Sequence, residues 1–159
     1  MARLHHMGIT VSDMASAVEF YRELTGGEVI GPLEKSGPAV EAATGYPGIV
    51  ITLSFVSFDE GSTVIELAEY RNGSGERIQP DTGRAGVAHP AIVVDDIDAT
   101  LARLAERGVR ALSQPMTATA GPLEGYRYVY VLGPDDVRVE LLQEPHRPTV
   151  VHPPSTATH

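Results

Sequence analysis

A chain of 159 residues, 42% hydrophobic and 21% charged, has room for one compact domain or two small fused modules. Its formal net charge of −9 and pI near 5.0 run against a nucleic-acid partner, and no apolar run approaches the roughly 18 residues of a membrane span, so the expectation is a cytoplasmic protein. The absence of cysteine excludes disulfides and sulfur-ligated metals, and the single lysine, Lys35, argues against Schiff-base chemistry.

Taken in order, the first strand is predicted over residues 3 to 11, with Leu4, His6, Gly8 and Thr10 on one face and His5, Met7, Ile9 and Val11 on the other. Asp13 reads as a helix N-cap. Met14, Ala17, Val18, Tyr21 and Leu24 follow at helical spacing, and Gly26-Gly27 is the stop. A short strand near Glu28 to Ile30 precedes a Gly- and Pro-rich stretch, Gly31 to Gly48, expected to be mostly loop with one helical turn around Ala39 to Thr44. Ile49 to Phe58 and Ser62 to Tyr70 then form an antiparallel hairpin around Asp59-Glu60-Gly61. The first module, β-α-β-β-β, occupies residues 1–70.

A polar, Gly-rich linker over 71–86 leads to a second module, 87–144, that repeats this order. Its strand runs Val87 to Val94, and its helix starts at Asp96 with Ile97, Leu101, Leu104 and Ala105 inward and Gly108 as the stop. A brief strand near Val109 to Leu112, a loop from Ser113 to Gly125, and a hairpin of Tyr126 to Leu132 with Val137 to Gln143 complete it. The turn Gly133-Pro134-Asp135-Asp136 suits type I, with Pro at the second position. The Pro-rich tail over 145–159 has no periodicity and is expected to be poorly ordered or an arm packed on a partner.

Duplication is the main signal. His6 and His89 open the modules in the same setting, and Ile65-Glu66-Leu67 and Val139-Glu140-Leu141 close them. The two histidines stand 83 residues apart and the two glutamates 74, so the first module is nine residues longer between its markers, a surplus expected mostly in Gly31 to Gly48. Alternation puts both carboxylates on the histidine faces, so that four sheet positions offer two imidazoles and two carboxylates to one concave surface. Carboxylates flanked by apolar residues are costly to leave unpaired, and a divalent cation is the simplest compensation. The donor set suits Zn, Ni, Co, Mn or Fe(II) without choosing among them. His5 competes with His6, and the match with His89 selects His6. His146, His152 and His159 fall in the tail.

The residues His6-Met7-Gly8-Ile9 with Val11 to Asp13, Phe20-Tyr21 before Gly26, Ile65-Glu66-Leu67, His89 to Asp98, and Val139-Glu140-Leu141 after a Pro-Asp turn make the chain resemble the vicinal-oxygen-chelate superfamily over residues 3 to 144. That superfamily includes glyoxalase I, methylmalonyl-CoA epimerase, fosfomycin-resistance and bleomycin-binding proteins, and extradiol dioxygenases. The resemblance implies an α+β fold in which two tandem βαβββ modules form a cupped, partly open mixed β-sheet barrel with helices outside. It also implies one divalent metal per chain on His6, Glu66, His89 and Glu140, and a homodimer. The final turn departs from the family's usual Asp-Pro-Asp-Gly-Asn.

Four protein ligands on an octahedral ion leave two adjacent positions for a carbonyl and a neighbouring oxygen. That suits Lewis-acid stabilisation of an enediolate, with a carboxylate moving the proton α to the carbonyl. The expected function is a metal-dependent isomerase, epimerase or lyase on a small molecule, closest in pattern to methylmalonyl-CoA epimerase and glyoxalase I. The alternatives are an Fe(II) extradiol dioxygenase, against which a ligating Glu66 would count, and an antibiotic-binding or resistance protein. Candidate bases are Glu140 and Glu41, because Val40-Glu41 is similar to the epimerases' Val-Glu segment. Arg138 shares the face of Glu140 and is a candidate for a substrate carboxylate or a surface ion pair. Tyr126, Tyr128 and Tyr130, with the loop Pro115 to Gly125, are candidates for a pocket wall.

Overall fold

The computed structural model describes residues 2–73, 77–81 and 83–145. Eight strands and three helices run in the order β1 (Met7–Thr10), α1 (Met14–Thr25), β2 (Glu28–Ser36), α2 (Pro38–Thr44), β3 (Val50–Phe58), β4 (Thr63–Arg71), β5 (Ala91–Val93), α3 (Ile97–Ala105), β6 (Met116–Thr117), β7 (Arg127–Leu132) and β8 (Arg138–Gln143). They form two four-stranded mixed sheets, β1-β4-β3-β2 and β5-β8-β7-β6, which are not closed into a barrel. In each, the opening strand runs parallel to the closing one, and the other pairings are antiparallel. None of the described helices is long and apolar enough to cross a membrane.

The two principal helices start as their sequences dictate. The Asp13 carboxylate accepts from the Ser16 amide at 2.9 Å, and the Asp96 carboxylate from the amides of Asp98 and Ala99, each satisfying amides that have no partner in the first turn. The sheets supply a second cap. Glu69 on β4 accepts from Met14 N at 3.0 Å, and Gln143 on β8 accepts from Ile97 N at 3.1 Å. Both capping residues stand three positions after the strand carboxylate, an element of the repeat that periodicity does not reveal.

Buried Met14, Ala17, Phe20, Tyr21 and Leu24 of α1 join Ile97 and Leu104 of α3 in a single core with the helix-side residues of both sheets, among them Ile9, Ile65, Leu67, Val129, Val131, Val139 and Leu141. Ala105, expected inward, is exposed at the end of α3, and Thr100, one turn after Ile97, is buried instead. Helix α1 also reaches the β7–β8 turn, where the Phe20 ring packs so closely on Gly133 that a Cβ there would lie 3.0 Å from Cε1. Arg103 of α3 pairs with Glu23 of α1, and Arg107, just beyond the end of α3, pairs with Glu19 and Glu23. The two modules are therefore held helix side to helix side.

Several elements differ from expectation. The stretch after Ile30 is not mostly loop: β2 continues to Ser36 through a register shift between Ile30 and Leu33, and the helix expected around Ala39 to Thr44 follows as α2, with Pro38 in its first turn. An edge strand tolerates Pro32, which has no amide to pair. Gly31, at φ 122°, is required there because a Cβ would lie 2.7 Å from Leu53 O. The nine-residue β2 faces a two-residue counterpart, β6, which accounts for much of the first module's surplus. Residues 109–112 form one bridge, Ala111 with Val131, and not a strand. The β7–β8 turn is not type I, since Asp135 has φ 58° where that turn calls for about −90°. Its carboxylate is held by Ser12 and Arg77, which fixes the inverted geometry. The tail beyond Pro145 lies outside the described residues.

Candidate metal and substrate site

Parallel register decides which side chains share a face. Gly8 lies opposite Glu66, and Ala91 opposite Glu140, so His6 and His89, each two residues earlier, stand on the same faces as the carboxylates. His6 Nε2 is 3.8 Å from Glu66 Oε1, and His89 Nε2 is 3.3 Å from Glu140 Oε2. Gly8 lies beside this carboxylate, where a Cβ would make an ordinary contact at 3.7 Å from Glu66 Oε1. All four side chains are partly exposed, from 15% for Glu140 to 37% for His6. His5 is exposed, its Nδ1 2.9 Å from that of His6, which leaves His6 Nε2 turned to Glu66.

Within one chain the four donors do not gather at one place. The donors fall into two His–Glu pairs, and among the described residues no three His, Asp or Glu side chains gather closely enough to hold an ion. The reason is the shared core: with both helix sides packed on it, the His–Glu face of each sheet is the opposite face. Each pair suits half of a metal site. Two ligands about 2.1 Å from one ion and at right angles lie about 3 Å apart, and a wider angle gives more. A single chain supplies two such donors at each place, and not four at one.

Around Glu140 the site is more developed. The Tyr130 hydroxyl is 3.4 Å from His89 Nε2, and the two rings meet edge to face. Burial, then the neighbouring Glu140 charge, raises the Tyr130 pKa, so the phenol is a proton donor at neutral pH. A pocket of about 280 Å³ adjoins, lined by Glu140, Leu142, Tyr126, Tyr128 and the loop residues Ala118, Ala120, Pro122 and Leu123. In the first module α2 takes the place of that loop. Its Val40 packs on Ile49, Ile51 and Ala68, and Ala43 and Thr44 help wall a larger cleft, about 820 Å³, which runs along β1 and on to Ser12 and includes Tyr46, Tyr70 and Arg77.

Glu41 is half-buried on α2 and lines neither cavity. Arg138 follows the Glu140 face but pairs with Asp81 at 3.2 Å. The Ser12–Asp135–Arg77 network at the end of the cleft went unread in the sequence. A Pro-Asp-Asp turn signals only a turn, and its partners are 123 and 58 residues distant.

Residues 3–141 match the Glyoxalase/Bleomycin resistance protein/Dioxygenase superfamily. The chain belongs to this superfamily. A 2-epi-5-epi-valiolone epimerase from Actinomyces sp. is 34% identical over 151 residues, covering 89% of this chain and 79% of the relative. A probable lactoylglutathione lyase from Vibrio parahaemolyticus is 31% identical over 145 residues, covering 89% and 90%. Among solved structures, a glyoxalase family protein from Bacillus cereus superposes with a TM-score of 0.78 at 19% identity, covering 92% of this chain and 96% of that one. The two-module glyoxalase fold is thus shared, and the superfamily's chemistry varies enough that the site must select the reaction.

Proposed function

We propose that this superfamily member is an isomerase, epimerase or lyase that moves a proton on the carbon α to a carbonyl of a small molecule, with a divalent ion held by His6, Glu66, His89 and Glu140, in a homodimer. The observation that carries the reading is the His–Glu pair repeated in both modules, one copy set at the mouth of a pocket beside a protonated Tyr130. The epimerase and lyase names of the relatives support it. Zn, Ni, Co or Mn would serve as the ion, supplying Lewis-acid polarisation of the carbonyl when bound.

The chain's own residues have separable tasks. The Glu140 carboxylate, at the pocket mouth, takes the α proton and returns it to the same or a neighbouring carbon. Tyr130 holds the His89 ring through its hydroxyl and, with Tyr128, walls the substrate. Glu41 is the second candidate base, on a helix whose end borders the large cleft. Arg138 would meet a substrate carboxylate only by exchanging it for Asp81.

The test is solvent exchange. Protein loaded with each ion is incubated in deuterated water with 2-oxo acids, 2-hydroxy acids, acyl thioesters and 2-epi-5-epi-valiolone, and proton NMR reads the α position. Deuterium should enter with one substrate class, and Glu140→Gln should slow that entry by about 10²–10⁴-fold, the usual contribution of a positioned acid or base. Oxygen uptake on a catechol without deuterium entry would reject proton transfer in favour of ring cleavage. Tight binding with neither reaction would leave a binding protein.

A further inference from the structure

We infer that the cleft along β1 recognises an uncharged, polyhydroxylated ring, as a part of the substrate remote from the proposed ligand set. The inference rests on the proton-transfer reading above and adds the chemical class of what the protein recognises. The cleft continues the face that carries the first half-set, His6 and Glu66. Glu66, Ala68 and Tyr70 alternate on one side of β4, and His6, Gly8 and Thr10 on the same side of β1, with Gly8 opposite Glu66 and Thr10 opposite Ala68. Gly8, Thr10 and Tyr70 all line the cleft, and so does Ala88, the residue before His89 of the second half-set. Four residues of strand, about 13 Å, separate Glu66 from Tyr70. A group held at Tyr70 is therefore well away from an ion at Glu66, and its binding is separable from the chemistry.

The wall of the cleft selects the ligand by shape, hydrogen bonding and charge. The rings of Tyr46 and Tyr70 meet edge to face with centroids 6.2 Å apart, so together they offer apolar surface to the C–H groups of a saturated ring. Among the described residues, neither phenol nor the Thr10 hydroxyl has a protein partner. Each can both donate and accept, which matches a ligand made of hydroxyls, whereas a carboxylate or phosphate only accepts. A wholly apolar ligand would leave these groups unpaired. Among the described residues lining the cleft, Arg77 is the one cation, and Glu69 and Asp135 are both anionic. Arg77 is already committed, donating to Asp135 at 2.9 Å and to Ser12 at 3.2 Å. An anionic handle would thus enter a net negative cleft whose counter-ion is taken, and would be buried unpaired. A neutral polyol avoids both penalties.

Probe binding to the full chain tests this, with saturation-transfer NMR and calorimetry as readouts. The neutral probes are myo-inositol and methyl glucopyranoside, and their anionic counterparts are inositol 1-phosphate and glucuronate. The neutral pair should bind in the millimolar range with or without added Zn(II), and the anionic pair at least about tenfold more weakly. Tyr46 is 43% exposed, so the fold withstands its truncation, and Tyr46→Ala should weaken the neutral probes by about tenfold. Tyr70→Phe keeps the packed ring, removes only the hydroxyl, and should weaken them by about threefold. Tighter binding of the anionic pair, no transfer to either neutral probe, or neutral binding unchanged in Tyr46→Ala overturns the proposal. None of these readouts needs turnover, so the two readings fail separately. Neutral-probe binding that Tyr46→Ala weakens, in a protein that exchanges no solvent deuterium with any substrate, supports the cleft and rejects proton transfer. Solvent exchange at an unaltered KM in Tyr46→Ala keeps proton transfer and overturns the ring site.

Discussion

At the scale of single residues, two side chains outside the proposed ligand set make separable predictions. Asp135 is partly buried, which pushes its pKa up, but hydrogen bonds from the Ser12 hydroxyl and amide and from Arg77 outweigh that and hold it below the ordinary carboxylate range. A carboxylate depressed in the folded state stabilises fully above its unfolded value of about 3.9, and that contribution is lost as pH falls through the folded value. Asparagine tolerates the left-handed backbone at this position. Asp135→Asn should therefore lower stability by about 1 kcal/mol at pH 7, the usual net worth of a hydrogen-bonded polar group, and urea titrations should show the gap closing below about pH 4. Tyr21 is the opposite case. Its ring is fully buried, its hydroxyl finds no partner among the described residues, and burial, then the Asp135 charge, keeps the phenol neutral at any working pH. An unpaired buried hydroxyl costs about 1–3 kcal/mol. Tyr21→Phe should thus leave the urea midpoint unchanged or raise it, and a marked fall would reveal a partner for the hydroxyl.

At the scale of elements, the β1–β4 ladder places the first half-set through a residue that does no chemistry. Gly8 lies beneath the Glu66 carboxylate, and its counterpart Ala91 faces Glu140 across the same register. A methyl group at 3.7 Å from Glu66 Oε1 is an ordinary contact, so Gly8→Ala should keep ion affinity within about two- to threefold. A branched side chain occupies the space of the carboxylate. Gly8→Leu should weaken binding by at least about tenfold, as expected when the groups orienting a ligand are disturbed, with little change in the far-UV spectrum. Equal affinities for the two variants would show that Glu66 is not a ligand. The capping pairs, Glu69 to α1 and Gln143 to α3, belong to this scale too: the strand that presents the carboxylate also fixes the start of its module's helix.

At the scale of the whole molecule, both modules contribute to one shared apolar core cluster. Phe20 joins them directly, being part of α1 and packed on the β7–β8 turn. Phe20→Ala should cost about 3–5 kcal/mol, as large aromatic truncations in cores do, and unfolding of the parent protein should be one transition by circular dichroism and by tyrosine fluorescence. Two separated transitions would show that the modules are stable independently and that the inter-module contact is weak.

What the sequence by itself determined was the repeat and all that follows from short-range periodicity. Asp13 as a helix cap and Asp96 as a helix start, the apolar stripes of α1 and α3, and the sharing of one face by His6 with Glu66 and by His89 with Glu140 depend on spacings of two to four residues, which backbone geometry converts directly into direction. The length of β2 was hidden because glycine and proline signal a break equally in a loop and in a bulged edge strand, and only pairing with β3 tells them apart. The arrangement of the two half-sets was not legible at all. Periodicity states which face of a sheet a residue occupies, but not where that face points. That was decided by the packing of α1 and α3 into a common core, a contact between residues some 80 positions apart in which apolar burial carries no directional label in the sequence.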